Sequence, residues 1–162
     1  MFNNYPFFNS ICKWTCFVLV LISLGAFKGE ELIHKLAEQA QQRLNSFHAA
    51  EPESAKVKKC EITISDEGFL RYRKTFLSGK QEYYSLNVSK LKAIDYIGST
   101  VSGNLNIYTL EDDVIVQTYN DRSGNVDSMS VKLIIPLKDV EPQDLIELQK
   151  NLFEMKSLVG RY

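Results

Sequence analysis

CEITISDEGFLRYRKTF, residues 60–76, is the stretch on which the fold turns. Cys60, Ile62 and Ile64 alternate with Glu61 and Thr63. After the turn-forming SDEG (Ser65–Gly68), the run Phe69–Phe76 sets Leu70 and Tyr72 against Arg71 and Arg73. Period-two alternation on both sides of an Asp/Gly turn describes two antiparallel strands with one face inward and one in water. The same rhythm continues through Glu82–Val88, Ala93–Ile97, Asn104–Leu110, Val114–Tyr119 and Ser128–Ile135. The breaks fall near Ser89–Lys92, at GSTVSG (Gly98–Gly103), at Glu111-Asp112-Asp113 and at DRSGN (Asp121–Asn125). Seven short strands at nearly regular spacing predict an antiparallel sandwich or barrel, since βα alternation is absent.

Helical periodicity appears on both sides of this region. After the last strand, Pro142 suits a first helical position, where its missing N–H has no ladder bond to lose. Leu145, Leu148, Leu152, Met155 and Val159 then form one apolar stripe that closes at Gly160. Upstream, Glu30 to Phe47 lacks Gly and Pro and repeats Ile33, Leu36, Ala37, Ala40, Leu44 and Phe47 on a narrow face. Such a helix packs on the domain, pairs with another helix, or serves as a stalk. Ala49–Lys59 is polar, contains Pro52 and reads as a linker. The expected organisation is therefore residues 1–28 as an N-terminal address, 29–48 as an amphipathic helix, 49–57 as linker, and 58–162 as a mainly β, α+β domain capped by the C-terminal helix.

The address is export. Cys16–Phe27 (CFVLVLISLGAF) is an uncharged run of 12 residues after Lys13. It is shorter than the roughly 20 residues that cross a bilayer core and suits the hydrophobic region of a signal peptide. Ser23 and Gly25 fit a cut before Ala26. Counted from Trp14, residues 14–27 approach an uncleaved anchor, and a buried helix of a cytosolic protein is the third reading. No lipobox surrounds Cys12 or Cys16. With the segment removed only Cys60 remains, a small inward-facing hydrophobe with no disulfide partner.

Tyr83–Ile97 (YYSLNVSKLKAIDYI) and Val131–Leu152 (VKLIIPLKDVEPQDLIELQKNL) carry a resemblance. The first is similar to the strand, short L-x-x-I-x-x-I passage and next strand of pleckstrin-homology-like barrels. The second is similar to their final strand, polar elbow and closing helix. The plan also resembles small exported proteins of unassigned role from Bacteroidetes-type bacteria. The resemblance covers about Lys58 to Val159 and implies a seven-stranded barrel closed by one helix, with a peptide groove between that helix and an edge strand such as Ala93–Ile97. In some members of the superfamily a basic pattern holds anionic lipid head groups. Lys59, Arg71 and Arg73, with Lys58, are the residues here that resemble it, and alternate positions on one strand aim both guanidinium groups at one anion. Against that, the same residues suit the solvent face of a strand.

Other chemistry is excluded or weak. Net charge is −1 from 19 basic and 20 acidic residues, which argues against a nucleic-acid binder. His34 and His48 are 14 positions apart and the β-region holds no histidine, so no catalytic triad or zinc spacing exists. Asp121-x-Ser123-x-Asn125-x-Asp127 spaces oxygens as a calcium loop does, but Val126 replaces the glycine and the closing glutamate is missing, so it reads as a hairpin turn. Gly98–Gly103 lacks a P-loop lysine. Asn87-Val88-Ser89 is a sequon for a host that glycosylates. The sequence thus predicts an exported, non-catalytic protein- or peptide-binding domain without cofactor or metal. Its alternatives are an anion or head-group module on Arg71 and Arg73, and a self-assembling structural protein using the 30–47 helix.

Overall fold

Long antiparallel strands that fold over on themselves organise the structure, a computed structural model describing residues 29–49 and 56–160. The 1–28 segment and residues 50–55 of the expected linker lie outside the described residues. The chain divides into the units Met1–Leu32 and Ile33–Tyr162, and the second holds both sheets, the C-terminal helix and the N-terminal helix from Ile33 onward. Helix α1 spans residues 29–47. Strands β1 (Val57–Ile64), β2 (Phe69–Phe76), β3 (Gln81–Asn87), β4 (Leu91–Gly98), β5 (Ser102–Thr109), β6 (Val114–Tyr119), β7 (Asp127–Ser130) and β8 (Lys132–Lys138) precede helix α2 (Pro142–Val159). The fold is α+β and mainly β, with one five-stranded sheet ordered β1-β2-β3-β6-β7 and one three-stranded sheet ordered β4-β5-β8.

Every ladder is antiparallel, and the two sheets are one meander bent at a row of corners. β3 passes into β4 through a single 3₁₀ turn at Val88–Lys90, where the Asn87 side chain accepts from the Ser89 N–H. β5 passes into β6 through Leu110–Asp113, and β7 into β8 at Val131. Bonds across the corners hold the bend: Leu110 N–H to Lys90 O at 3.0 Å and Thr109 N–H to Val131 O at 3.0 Å. The buried Thr109 hydroxyl donates to Glu111 O and Val131 O, so its burial leaves no unmet polar group. In the Ser99–Ser102 turn region, Gly103 lets the Tyr96 ring lie against the backbone, and a Cβ there would meet the ring at 2.5 Å.

Two expectations are corrected. The strand expected over Ser128–Ile135 is two strands in different sheets, which makes eight among the described residues. Met129 is exposed while Leu133 and Ile135 are buried, although all share one parity, so the alternation slips by one at Val131. Ser130 Oγ secures the slip by accepting from Lys132 N–H and donating to Lys132 O, both at 3.2 Å. Nor do the sheets close into a barrel. Two bonding groups of β1 that face away from β2 are taken by α1: Gln41 Oε1 accepts from Ile64 N–H at 2.8 Å, and Asn45 Nδ2 donates to Ile62 O at 2.8 Å.

The apolar stripe of α1 (Ile33, Leu36, Ala37, Ala40 and Leu44) is buried in the same cluster as Ile62, Tyr72, Leu105, Ile135 and Leu152. Of the three uses open to this helix, the structure shows packing on its own domain. Its end docks on β8, with His48 bridging Leu137 and Ala49 N–H donating to Pro136 O at 2.9 Å. Pro136 thus turns its missing N–H away from β5 and costs the ladder nothing. α2 begins at Pro142 as expected, buries Leu148, Leu152 and Met155, and packs on the 3₁₀ turn and β4. Arg43 of α1 joins the helices by ion pairs to Asp144 and Glu147. Among the described residues no helix is long and apolar enough to cross a membrane. Because Leu44 is fully buried, Leu44→Ala should lower unfolding free energy by about 2–5 kcal/mol in urea titration. A loss below about 0.5 kcal/mol would mean that α1 is not part of the core.

Candidate functional site

Strand alternation determines what the five-stranded sheet shows to solvent. Leu70, Tyr72, Leu86 and Val114 go inward, and the intervening positions form three rows across the outer face. Cross-strand register aligns Thr63, Arg71, Ser85, Ile115 and Met129 in one row, and Glu61, Arg73, Tyr83, Gln117 and Asp127 in the next. Lys59, Thr75, Gln81 and Tyr119 form the third. Lys59, Arg71 and Arg73 therefore share one face, as the alternation predicts.

They do not share one anion site. Arg73 is ion-paired to Glu61 and donates to the Tyr83 hydroxyl at 3.0 Å, with its guanidinium 5.6 Å from the Tyr83 ring centre. Lys59 pairs with the same Glu61. Hydrogen bonds from Lys59 and then Arg73 hold the Glu61 carboxyl below its ordinary range, and Tyr83 and then Glu61 hold Arg73 above its own. Arg71 differs. Among the described residues it has no carboxylate at ion-pair distance, although its charge adds to the Ser65 hydrogen bond that holds the exposed Glu67 carboxyl below its ordinary range, and its guanidinium lies 5.4 Å from the ring centre of the exposed Phe69. It borders a shallow depression of about 700 Å³ floored by Tyr83, Ser85 and Gln81 and rimmed by Phe69, Ile115, Gln117 and Tyr119. Tyr83 and Tyr119 meet edge to face at 5.3 Å.

Aromatic and aliphatic side chains here surround one guanidinium that makes no close ion pair among the described residues. Interface cores are rich in Tyr, Phe, Met and Arg. Sequence reasoning singled out the arginines but not Ile115, Gln117 and Tyr119. The signal was present, because VIVQTY (Val114–Tyr119) is apolar on both faces, and only one face can be core.

The remaining sites resolve as follows. Gln149 Nε2 donates to Ile94 O at 3.3 Å and Lys156 Nζ to Leu91 O, so α2 meets the first half of the β4 edge. A second depression of about 720 Å³ lies between α1 and α2, crossed by the Arg43 ion pairs. Asp121 accepts from Ser123 N–H at 2.9 Å, and Lys80 reaches it at 2.9 Å, so its carboxylate already faces a cation inside a turn. Lys80 and then Ser123 hold its pKa below the ordinary range. The Asn87 amide of the sequon donates to Glu67 O at 3.1 Å. His34 contacts Asp66 at 3.1 Å on the surface. His48 Nε2 lies 2.8 Å from the Tyr72 hydroxyl, which donates weakly to Cys60 Sγ at 3.9 Å, so Cys60 joins a polar cluster at the end of the core. Only the long-range docking of α1 creates this contact. No group of three or more metal-ligating side chains occurs among the described residues.

Comparison with protein-family models, with curated proteins and with solved structures found no match to this chain.

The Glu61 shift has a measurable consequence. A depressed carboxyl pKa contributes stability above the unfolded-state value, and that stability is lost as pH falls through the folded value. Glu61→Gln should lower the plateau above about pH 4.5 slightly and flatten the acid limb by the same amount, so that the two chains converge in acid. An acid limb identical to that of the unaltered chain would show that Glu61 is not bound by Lys59 and Arg73.

Proposed function

We propose that this chain is a non-catalytic interaction domain displayed outside the cytoplasm, and that it receives a protein partner on the outer face of its five-stranded sheet. The observation carrying this reading is Arg71, a guanidinium with no close ion pair among the described residues, set in an exposed aromatic depression. A partner carboxylate placed there gains a charge-assisted, bidentate bond, while Phe69, Tyr119 and Ile115 supply apolar contact around it. The run Cys16–Phe27 after Lys13 supports display outside the cytoplasm, by secretion or by a tether through residues 14–27. The order of an antiparallel meander followed by a helix supports kinship of plan with pleckstrin-homology-like binding modules, but a binding role rests on the site, not on that plan.

An anionic head group held jointly by Arg71 and Arg73 is less well supported, because Glu61 and Tyr83 engage Arg73. The tests are Arg71→Glu and Tyr119→Ala in the full chain, tagged and recovered from its own cells after cross-linking. Each should lower partner recovery at least about tenfold. Stability should stay within about 0.5 kcal/mol of the unaltered chain, since both residues are exposed. Ile146→Ser in the α1–α2 depression should leave recovery intact. Unchanged recovery with Arg71→Glu would place the partner elsewhere.

A further inference from the structure

Three of the four sheet edges are met by the chain's own groups. Gln41 and Asn45 of α1 cover β1, and Gln149 and Lys156 of α2 cover β4. β8 is met at Pro136 by Ala49 and at Lys132 by the Ser130 hydroxyl. β7 has no such cover among the described residues. Val126 exchanges bonds with Thr118 of β6, donating from its N–H to Thr118 Oγ1 at 2.7 Å and accepting from Thr118 N–H at 2.9 Å. Antiparallel alternation then turns Ser128 and Ser130 toward β6, and the backbone N–H and C=O of Asp127 and Met129 away from it.

We infer that β7 is a self-pairing edge that joins two copies of this chain about a two-fold axis at Met129. This inference stands apart from the Arg71 reading and shares only Ile115 with it. The strand is self-complementary in three respects. Met129 of one copy opposite Met129 of the other is a hydrogen-bonded antiparallel pair, in which each backbone supplies the donor and acceptor that the other lacks. In that register Asp127 lies opposite Val131 of the other copy, so no like charges face each other across the joint. The apolar side chains also coincide: Met129 is 55% exposed, its cross-strand neighbour Ile115 is 39% exposed and Val131 is 50% exposed. Pairing lays them side by side across the joined sheets. No Lys, Arg or Pro occurs from Val126 to Val131 to guard the edge, which is four residues long with Asp127 as its one charge.

The edge is short, so the association is expected to be weak and concentration-dependent. The experiment uses the full chain in mild detergent with Cys12, Cys16 and Cys60 replaced by alanine. Met129→Cys should give a disulfide-linked dimer on mild oxidation, because Cα atoms of a hydrogen-bonded pair sit about 5.5 Å apart, within disulfide reach. Gln117→Cys, one strand further in on the same face, should stay unlinked. Met129→Pro removes the outward N–H that β6 does not use. It should halve the mass measured by light scattering at high concentration and leave the circular dichroism unchanged. Arg71→Glu should remain dimeric. A Met129→Cys chain that stays monomeric would overturn the inference, as would equal linking through Gln117→Cys or an unaltered mass for Met129→Pro.

Discussion

Two side-chain hydrogen bonds from α1 to the outer edge of β1 set the terms for the rest of the molecule. An antiparallel meander that bends at Val88–Lys90, Leu110–Asp113 and Val131 wraps around a core without bringing its first and last strands together. Its edges keep N–H and C=O groups that must find partners once water is excluded. Gln41 and Asn45 supply them along β1, and in doing so they bring Leu44 and Ala40 over the open side of the core. α2 repeats the device on β4 with Gln149 and Lys156. The helices thus complete the hydrogen bonding and burial that barrel closure would otherwise provide.

Sheet curvature also separates the two polar regions. Inside, His48, Tyr72 and Cys60 meet where α1 ends, and the contact depends on the helix being docked. Outside, the flat part of the five-stranded sheet collects Lys59, Arg71 and Arg73 with Glu61 as the acid between Lys59 and Arg73. One carboxylate shared by two of three cations leaves the third, Arg71, coupled at longer range to Glu67 and open to another molecule. Surface ion pairs add little to stability, so this imbalance has more bearing on recognition than on folding.

Local periodicity made much of this legible. β2 at Phe69–Phe76 and β6 at Val114–Tyr119 have the expected bounds, and α2 starts at the expected Pro142. The common face of Arg71 and Arg73 follows from alternation alone. The split of SMSVKLII was also encoded, in a slip of phase between Met129 and Leu133 that a continuous strand forbids. What could not be read locally depends on distance along the chain. Nothing near Gln41 specifies Ile64, nothing near His48 specifies Tyr72, and the pairing of Arg73 with Glu61 requires the β1–β2 register. The amphipathic face of α1 announced that it would be buried, but not against what.

Hydrogen exchange at the Ile64 amide is the most direct test of this architecture. That N–H points away from β2 and is bonded only through Gln41, while Ser65 N–H is bonded back to Phe69 within the hairpin. The account predicts that Ile64 exchanges with the slow core amides and that Gln41→Ala accelerates Ile64 selectively. An Ile64 amide exchanging at the rate of an exposed loop in the unaltered chain would contradict it, since α1 would then not seal the edge on which the fold depends.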